Sequence, residues 1–243
     1  MQEYNQSFNP GEFDSSYATG RLTLNRYISR TFGWMFLGLL VTFALAWYMA
    51  ASGLVIRLLV TMPSLLMVLL VAELVVVLVF SARLHKQSVN VSRVLFFVYS
   101  ILNGVVFSVY FVAFDVAAVV LVFGLTALFF GAFALYGRFT RTDLSRLRPL
   151  IFAGLIFLVI SGLVLMLFDI SALERLVCMV GIVIFLCATA YDTQKIKTNY
   201  QYFSHDAALL ERASIYSALQ LYLDFINLFL YLLRFLGVSR SRR

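Results

Sequence analysis

Ser217, Gln220, Asp224, Asn227 and Tyr231 follow one another at intervals of three, four, three and four residues. On a helix that advances 100° per residue they fall within an arc of roughly 80°. The intervening residues are almost all Leu, Phe or Ile, as in LYLDFINLFLYLLRF from 221 to 235. Such a helix carries one polar stripe and is otherwise suited to hydrocarbon. A carboxylate at the centre of a spanning helix costs roughly 2.5–3.5 kcal/mol on the insertion scale. Asp224 therefore needs a proton, a partner or water. Two chemistries follow: a neutral acid bonded to a neighbouring helix for packing, or a path for ions or protons lined by Gln220, Asn227 and Tyr231.

Other acids lie in or beside apolar segments. Glu73 is midway through the second, Asp115 is at a hairpin tip, and Asp192 is in ATAYDTQKIK, where the sixth segment ends. Asp192 either pairs with Lys195 or Lys197 at the interface or faces Asp224 across the hairpin of the last two segments. Counted from the apolar edges, Asp192 is about three residues deep and Asp224 about eight, a mismatch of roughly 7 Å at 1.5 Å per residue. If the two meet, a low-dielectric site resists two negative charges, so one proton is shared and the pair titrates as a unit. Fully deprotonated, the pair offers hard oxygen ligands of the kind calcium prefers. Glu73 either lines the same cavity or pairs with a hydroxyl such as Ser161.

The whole composition agrees with a membrane setting. Of 243 residues, 62% are hydrophobic and 13% charged, against about 25% charged in soluble domains. The net charge of +7 does not point to nucleic acid, because the basic residues lie between apolar runs, where they orient spans and attract anionic headgroups. Cys178 and Cys187 are nine residues apart on one expected helix, roughly 13 Å, too far for a disulfide. His85 and His205 fall in connecting loops without ligand-spaced partners. The first thirty residues lack the short apolar core and small-residue cleavage site of a secretory leader.

Seven apolar segments are expected, near 31–50, 62–82, 94–114, 116–136, 149–168, 174–192 and 216–236. In lipid only a helix satisfies its own backbone, and no short alternating strands suggest a barrel. The expected organisation is a polar tail over 1–30, one all-α membrane domain over 31–236, and a short basic tail over 237–243. Asp115 makes the third and fourth spans a tight hairpin, and the longest linker runs over about 193–215. Arg21, Arg26 and Arg30 precede the first span. Arg83, Lys86 and Arg93 follow the second, Arg138, Arg141, Arg146 and Arg148 the fourth, and Lys195, Lys197 and Arg212 the sixth. The intervening loops hold only Arg57 and Arg175. The positive-inside rule places the N-terminus in the cytoplasm, although seven spans then put Arg240, Arg242 and Arg243 outside.

AYDTQKIK from Ala190, together with LYLDFINLFLYLLRF, resembles the signature of the Bax inhibitor-1 family, closest to its bacterial branch. The resemblance extends over the whole membrane region. It implies seven helices with the last one central and wrapped by the other six, in a bacterial inner membrane. It implies a pH-sensitive calcium-leak activity with Asp192 and Asp224 as sensor and gate, and with calcium bound there only transiently. It also implies that a basic residue at the cytoplasmic end of the second span, here Arg83, can engage the pair. No bound cofactor is expected; calcium, protons and lipid are the expected partners. The alternative is a regulatory protein that binds other membrane proteins, such as a quality-control protease, without physiological flux. A proton-coupled transporter would need internal repeats and broken helices at the midplane, and a retinal protein a lysine in the last helix. Enzymatic activity is not expected: phosphate loops, nucleophile–base pairs and the Gly-x-Gly-Asp motif of intramembrane aspartyl proteases are all missing from the sequence.

Overall fold

The protein is described by a computed structural model covering residues 23–83, 87–168 and 170–240. Its regular elements there are all helical: α1 (Leu24–Ala51), α2 (Leu54–Thr61), α3 (Leu65–Arg83), α4 (Val89–Ala113), α5 (Val116–Phe139), a 3-10 turn (Leu144–Leu147), α6 (Arg148–Leu167), α7 (Ser171–Phe203) and α8 (Ala207–Arg240). Six helices are each long and apolar enough to cross a membrane, and the α2–α3 pair, bent by 101°, also qualifies if it is counted as one span. This is an integral membrane protein.

Local chemistry sets the boundaries. Ser88 Oγ accepts from the Val91 amide at 3.3 Å at the start of α4. Asp206 Oδ1 accepts from the Ala208 and Leu209 amides at 2.8 and 3.0 Å at the start of α8. Both satisfy amides that a first turn leaves free. Pro149 sits in the first turn of α6, where its missing N–H costs nothing. Gly53, at φ +68°, makes the left-handed turn out of α1. Pro63 lies in the gap where α2 gives way to α3. Phe114 and Asp115 alone join α4 to α5, giving the expected tight hairpin.

The helices part from the apolar runs in one important place. The stretch expected as a linker over 193–215 is almost wholly helical. α7 continues to Phe203 and α8 begins at Ala207, leaving a turn over 204–206. Hydropathy marks where hydrocarbon ends, whereas a helix continues through polar residues such as KTNYQ if they can form its hydrogen bonds. Asp192 is therefore well inside α7 and not at its end. His205 lies in the turn as expected; His85 and Lys86 fall outside the described residues.

The last helix is the most enclosed: 56% of its spanning window is buried, against 11–39% for the other five. It packs against α7, α1, α5 and α4, and α3 reaches it where Phe80 stacks on Tyr216 at 5.9 Å. α6 leans on α7. Hydroxyls stitch the bundle internally: Thr31 to Ser214 at 2.9 Å, and Thr42 to both Tyr222 at 2.6 Å and the Ser100 carbonyl at 2.8 Å. Arg30, Arg93, Arg138, Lys197 and Arg212 gather at one end. Arg30 and Arg93 both donate to Glu211, tying the N-terminal ends of α1, α4 and α8. Arg212 donates to the Gln87 carbonyl at 2.7 Å, and Lys197 to the Arg138 carbonyl. Because α2 follows the far end of α1 while Gln87 lies at the basic end, α3 carries the chain back between them.

No paired Gly-x-x-x-Gly brings helices together, but a single glycine does. A Cβ on Gly137 of α5 would stand 2.1 Å from the Ala190 carbonyl oxygen of α7. The neighbour is backbone and cannot move aside by a rotamer change. Gly137→Ala is expected to push α5 off α7 and to destabilise the protein by about 1–3 kcal/mol in an unfolding titration in micelles. Gly124→Ala, where nothing lies within 4 Å, is expected to be neutral. Equal stability of the two variants would refute the close approach.

Candidate functional site

α7 and α8 form an antiparallel hairpin whose register is set by two uncharged contacts. Near the turn, Asn199 Nδ2 donates to Ser217 Oγ at 3.0 Å. Farther in, the Phe185 and Tyr231 rings stack with centroids 5.8 Å apart and planes 24° apart. Asp192 is seven residues from Asn199 and seven from Phe185; Asp224 is seven from Ser217 and seven from Tyr231. In antiparallel helices equal steps in opposite directions stay level. The two aspartates therefore occupy the middle rung, about 10 Å or two helical turns from the rung on either side. The depth mismatch expected from the apolar edges disappears, because neither helix ends at those edges.

The rung is buried and electrostatically linked. Asp224 is 6% exposed, and its Oδ2 has no hydrogen-bond partner among the described residues. Asp192 is half-buried. Asp224 lies within Coulombic reach of Asp192 and Lys195, and Asp192 within reach of Lys195. Lys195 Nζ donates to Gln220 Oε1 at 3.4 Å and sits 5.9 and 6.0 Å from the ring centroids of Tyr191 and Tyr216. The two lysines weighed as partners of Asp192 are thus sorted: Lys195 faces the pair, and Lys197 holds the end of α5. One ammonium offsets one carboxylate. A second negative charge at this depth calls for a proton or another cation.

The remaining stripe residues divide. Gln220 belongs to the site through Lys195. Asn227 turns back on its own helix, donating to the Leu223 carbonyl at 2.8 Å. Tyr231 closes the rung on the side away from the basic end; its ring lies 2.7 Å from where a Gly181 Cβ would be, so α7 has a glycine there to receive it. Glu73 is not brought to the aspartates. It lies on α3 within electrostatic reach of Tyr99 and Tyr222, not of Ser161, and its Oε1 is also unpartnered among the described residues. Tyr222 and Asp224 are two residues apart, roughly 200° around α8, so Glu73 and the aspartate pair address different sides of that helix. Arg83 closes α3, but its side chain is outside the described residues. Phe185, Gly181 and Asn199 were not singled out from the sequence. The seven-residue offset from Asp192, matched by Tyr231 and Ser217 around Asp224, is the signal that identifies Phe185 and Asn199.

Most of the chain matches known bacterial proteins. The chain is 42% identical over 221 residues to inner membrane protein YbhL of Escherichia coli K12, covering 90% of this chain and 94% of YbhL. It is 36% identical over 220 residues to a protein of Borreliella burgdorferi, covering 90% and 95%. It is 34% identical over 218 residues to protein RP147 of Rickettsia prowazekii, covering 90% and 92%. The family described as "Inhibitor of apoptosis-promoting Bax1" matches residues 24–241, from the start of α1 past the end of α8. The chain belongs to that family, the Bax inhibitor-1 family.

Proposed function

We propose that the protein is a pH-sensitive leak for calcium in a bacterial inner membrane, with Asp192 and Asp224 as its sensor and gate. It crosses seven times, with α2 and α3 as the second span, the N-terminus in the cytoplasm, and α8 as the axis enclosed by the other spans. One observation carries this reading: two carboxylates on the same rung of a buried hairpin, one with an unpartnered oxygen, facing one ammonium. Two charges so placed cannot both be stable without a counterion, so the pair responds to protons and to hard cations. Among the described residues no three His, Cys, Asp or Glu side chains gather to hold a metal. Calcium ordinarily takes six to eight oxygen ligands, so the ion passes the rung and does not stay. Gln220 and Lys195 stand on the basic side of the rung, and the Phe185–Tyr231 stack closes the other.

Calcium flux into liposomes holding the full chain, recorded across a pH series, tests the pair. The wild type is expected to change rate with pH, and Asp192→Asn and Asp224→Asn are expected to flatten the profile. An unchanged profile in both variants removes the pair from the mechanism. A wild type without flux, together with a stable crosslinked membrane partner in cells, would favour the regulatory reading instead.

Tyr231→Ala removes half of the stack that closes the rung. It is expected to raise calcium flux at the pH where the wild type is slowest, whereas Tyr231→Phe keeps the stack and the wild-type rate. Unchanged flux in Tyr231→Ala eliminates the stack as a barrier.

Orientation is checked with single cysteines in a background lacking Cys178 and Cys187. An impermeant thiol reagent is expected to reach Ser204→Cys in inverted vesicles and Asp115→Cys in right-side-out vesicles. The reverse pattern inverts the topology.

A further inference from the structure

A groove of about 650 Å³ runs along the outside of the bundle between α1 and α5, with Phe225 of α8 at its floor. Both helices pack on α8, and their walls are hollowed where α5 carries Ala127, Gly131 and Ala134. A Cβ on Gly131 would meet nothing within 4 Å. Phe36, Leu40 and Leu135 on its rims are 61, 52 and 57% exposed, so the groove opens sideways to hydrocarbon and not to water. Along α5 it extends from Phe123 to Arg138, fifteen residues or about 22 Å. That is somewhat more than one leaflet of a hydrocarbon core about 30 Å thick.

Arg138 ends the groove at the basic face. Its guanidinium donates to Asn25 Oδ1 at 3.1 Å and keeps further N–H donors. Among the described residues no carboxylate pairs with it, since both ion pairs there belong to Glu211. Lys197, bound to the Arg138 carbonyl, adds a second positive charge at the same place. The contrasting groove between α6 and α7, about 490 Å³, is lined only by apolar side chains, Gly154 and Cys187, with no charged residue in its lining. A cleft with that lining takes any acyl chain. A cleft of one-leaflet length, ending in a guanidinium that has no carboxylate partner among the described residues, selects an anion attached to one.

We infer that the α1–α5 groove binds one anionic phospholipid from the leaflet at the basic end, an acyl chain lying over Phe225 and the phosphate on Arg138. The inference stands apart from the proposed calcium leak, because it uses neither aspartate.

The test is lipid retention by the delipidated full-length protein in micelles, titrated with phosphatidylglycerol or phosphatidylcholine and read by native mass spectrometry. The wild type is expected to keep one phosphatidylglycerol with a preference of roughly fivefold, the contribution of one basic side chain near a membrane surface. Gly131→Phe fills the groove and is expected to abolish retention of that lipid. Gly124→Phe, on an exposed and open part of α5, is expected to retain it and serves as the folding control. Arg138→Gln is expected to keep a bound lipid but lose the headgroup preference. Equal retention by Gly131→Phe and the wild type would mean annular lipid only and overturn the site. So would a preference that survives Arg138→Gln, displacement of the lipid by inorganic phosphate alone, or crosslinking of Gly131→Cys to a second copy in native membranes.

Discussion

The structure depends on the register between α7 and α8. A turn over 204–206 joins two helices of 33 and 34 residues, and level positions then recur every seven residues on each. Asn199 with Ser217 and Phe185 with Tyr231 are contacts that any apolar bundle could make at little cost. Between them the same register forces two acids together. A slip of one residue would rotate Asp224 by 100° toward the Leu and Phe face of α8 and break both outer rungs. Bonds between helices in a membrane are worth about 0.6 kcal/mol on average, well below the roughly 2.5–3.5 kcal/mol cost of one acid at the centre of a span. The hydrogen bonds therefore choose the register, while close van der Waals packing of α8 against four helices sustains it.

α8 is held at both ends, which limits how the site can change. At the basic end Glu211 is bound by Arg30 and Arg93. At the other, Arg234 donates to the Tyr110 hydroxyl at 3.4 Å, and Phe114 lies where a Cβ on Gly237 would be, at 2.5 Å. Thr42 and Tyr222 add a buried bond between. Sliding α8 along its axis would break all of these. Rotation of the Tyr231 ring off Phe185 breaks one stack. A response to the charge on the middle rung is thus cheaper at side chains, or in α3, which is bent away from α2 and touches α8 through Phe80.

Much of the fold was legible in the sequence, because a bilayer imposes a simple rule on every span: apolar length, with basic residues between. The family resemblance implied the enclosure of the last helix, whereas the six long helices and the tight α4–α5 hairpin follow from that rule. The extra length of α7 and α8 does not, since residues such as Lys197, Asn199 and Glu211 look like a linker to any hydropathy scale while forming ordinary helix. That error alone produced the apparent depth mismatch of the aspartates. The polar stripe of α8 was visible as periodicity, but periodicity on one helix cannot tell which neighbour it faces. Asn227 shares the stripe and bonds to its own backbone; Glu73 shares the chemistry and lies around the other side of α8. Register is a relation between two helices, and it could be read only once a contact on each side of the acids was known.

Glu73 and the aspartate pair then share a constraint even without touching. α8 stands between them. Tyr222, which faces Glu73, and Asp224 are two residues apart on one rigid helix. The two acid sites therefore keep a fixed spacing around that helix. Lys195 lies on the aspartate side, so it offsets charge there more than at Glu73. The bundle thus has two acid sites of unequal compensation around one axis.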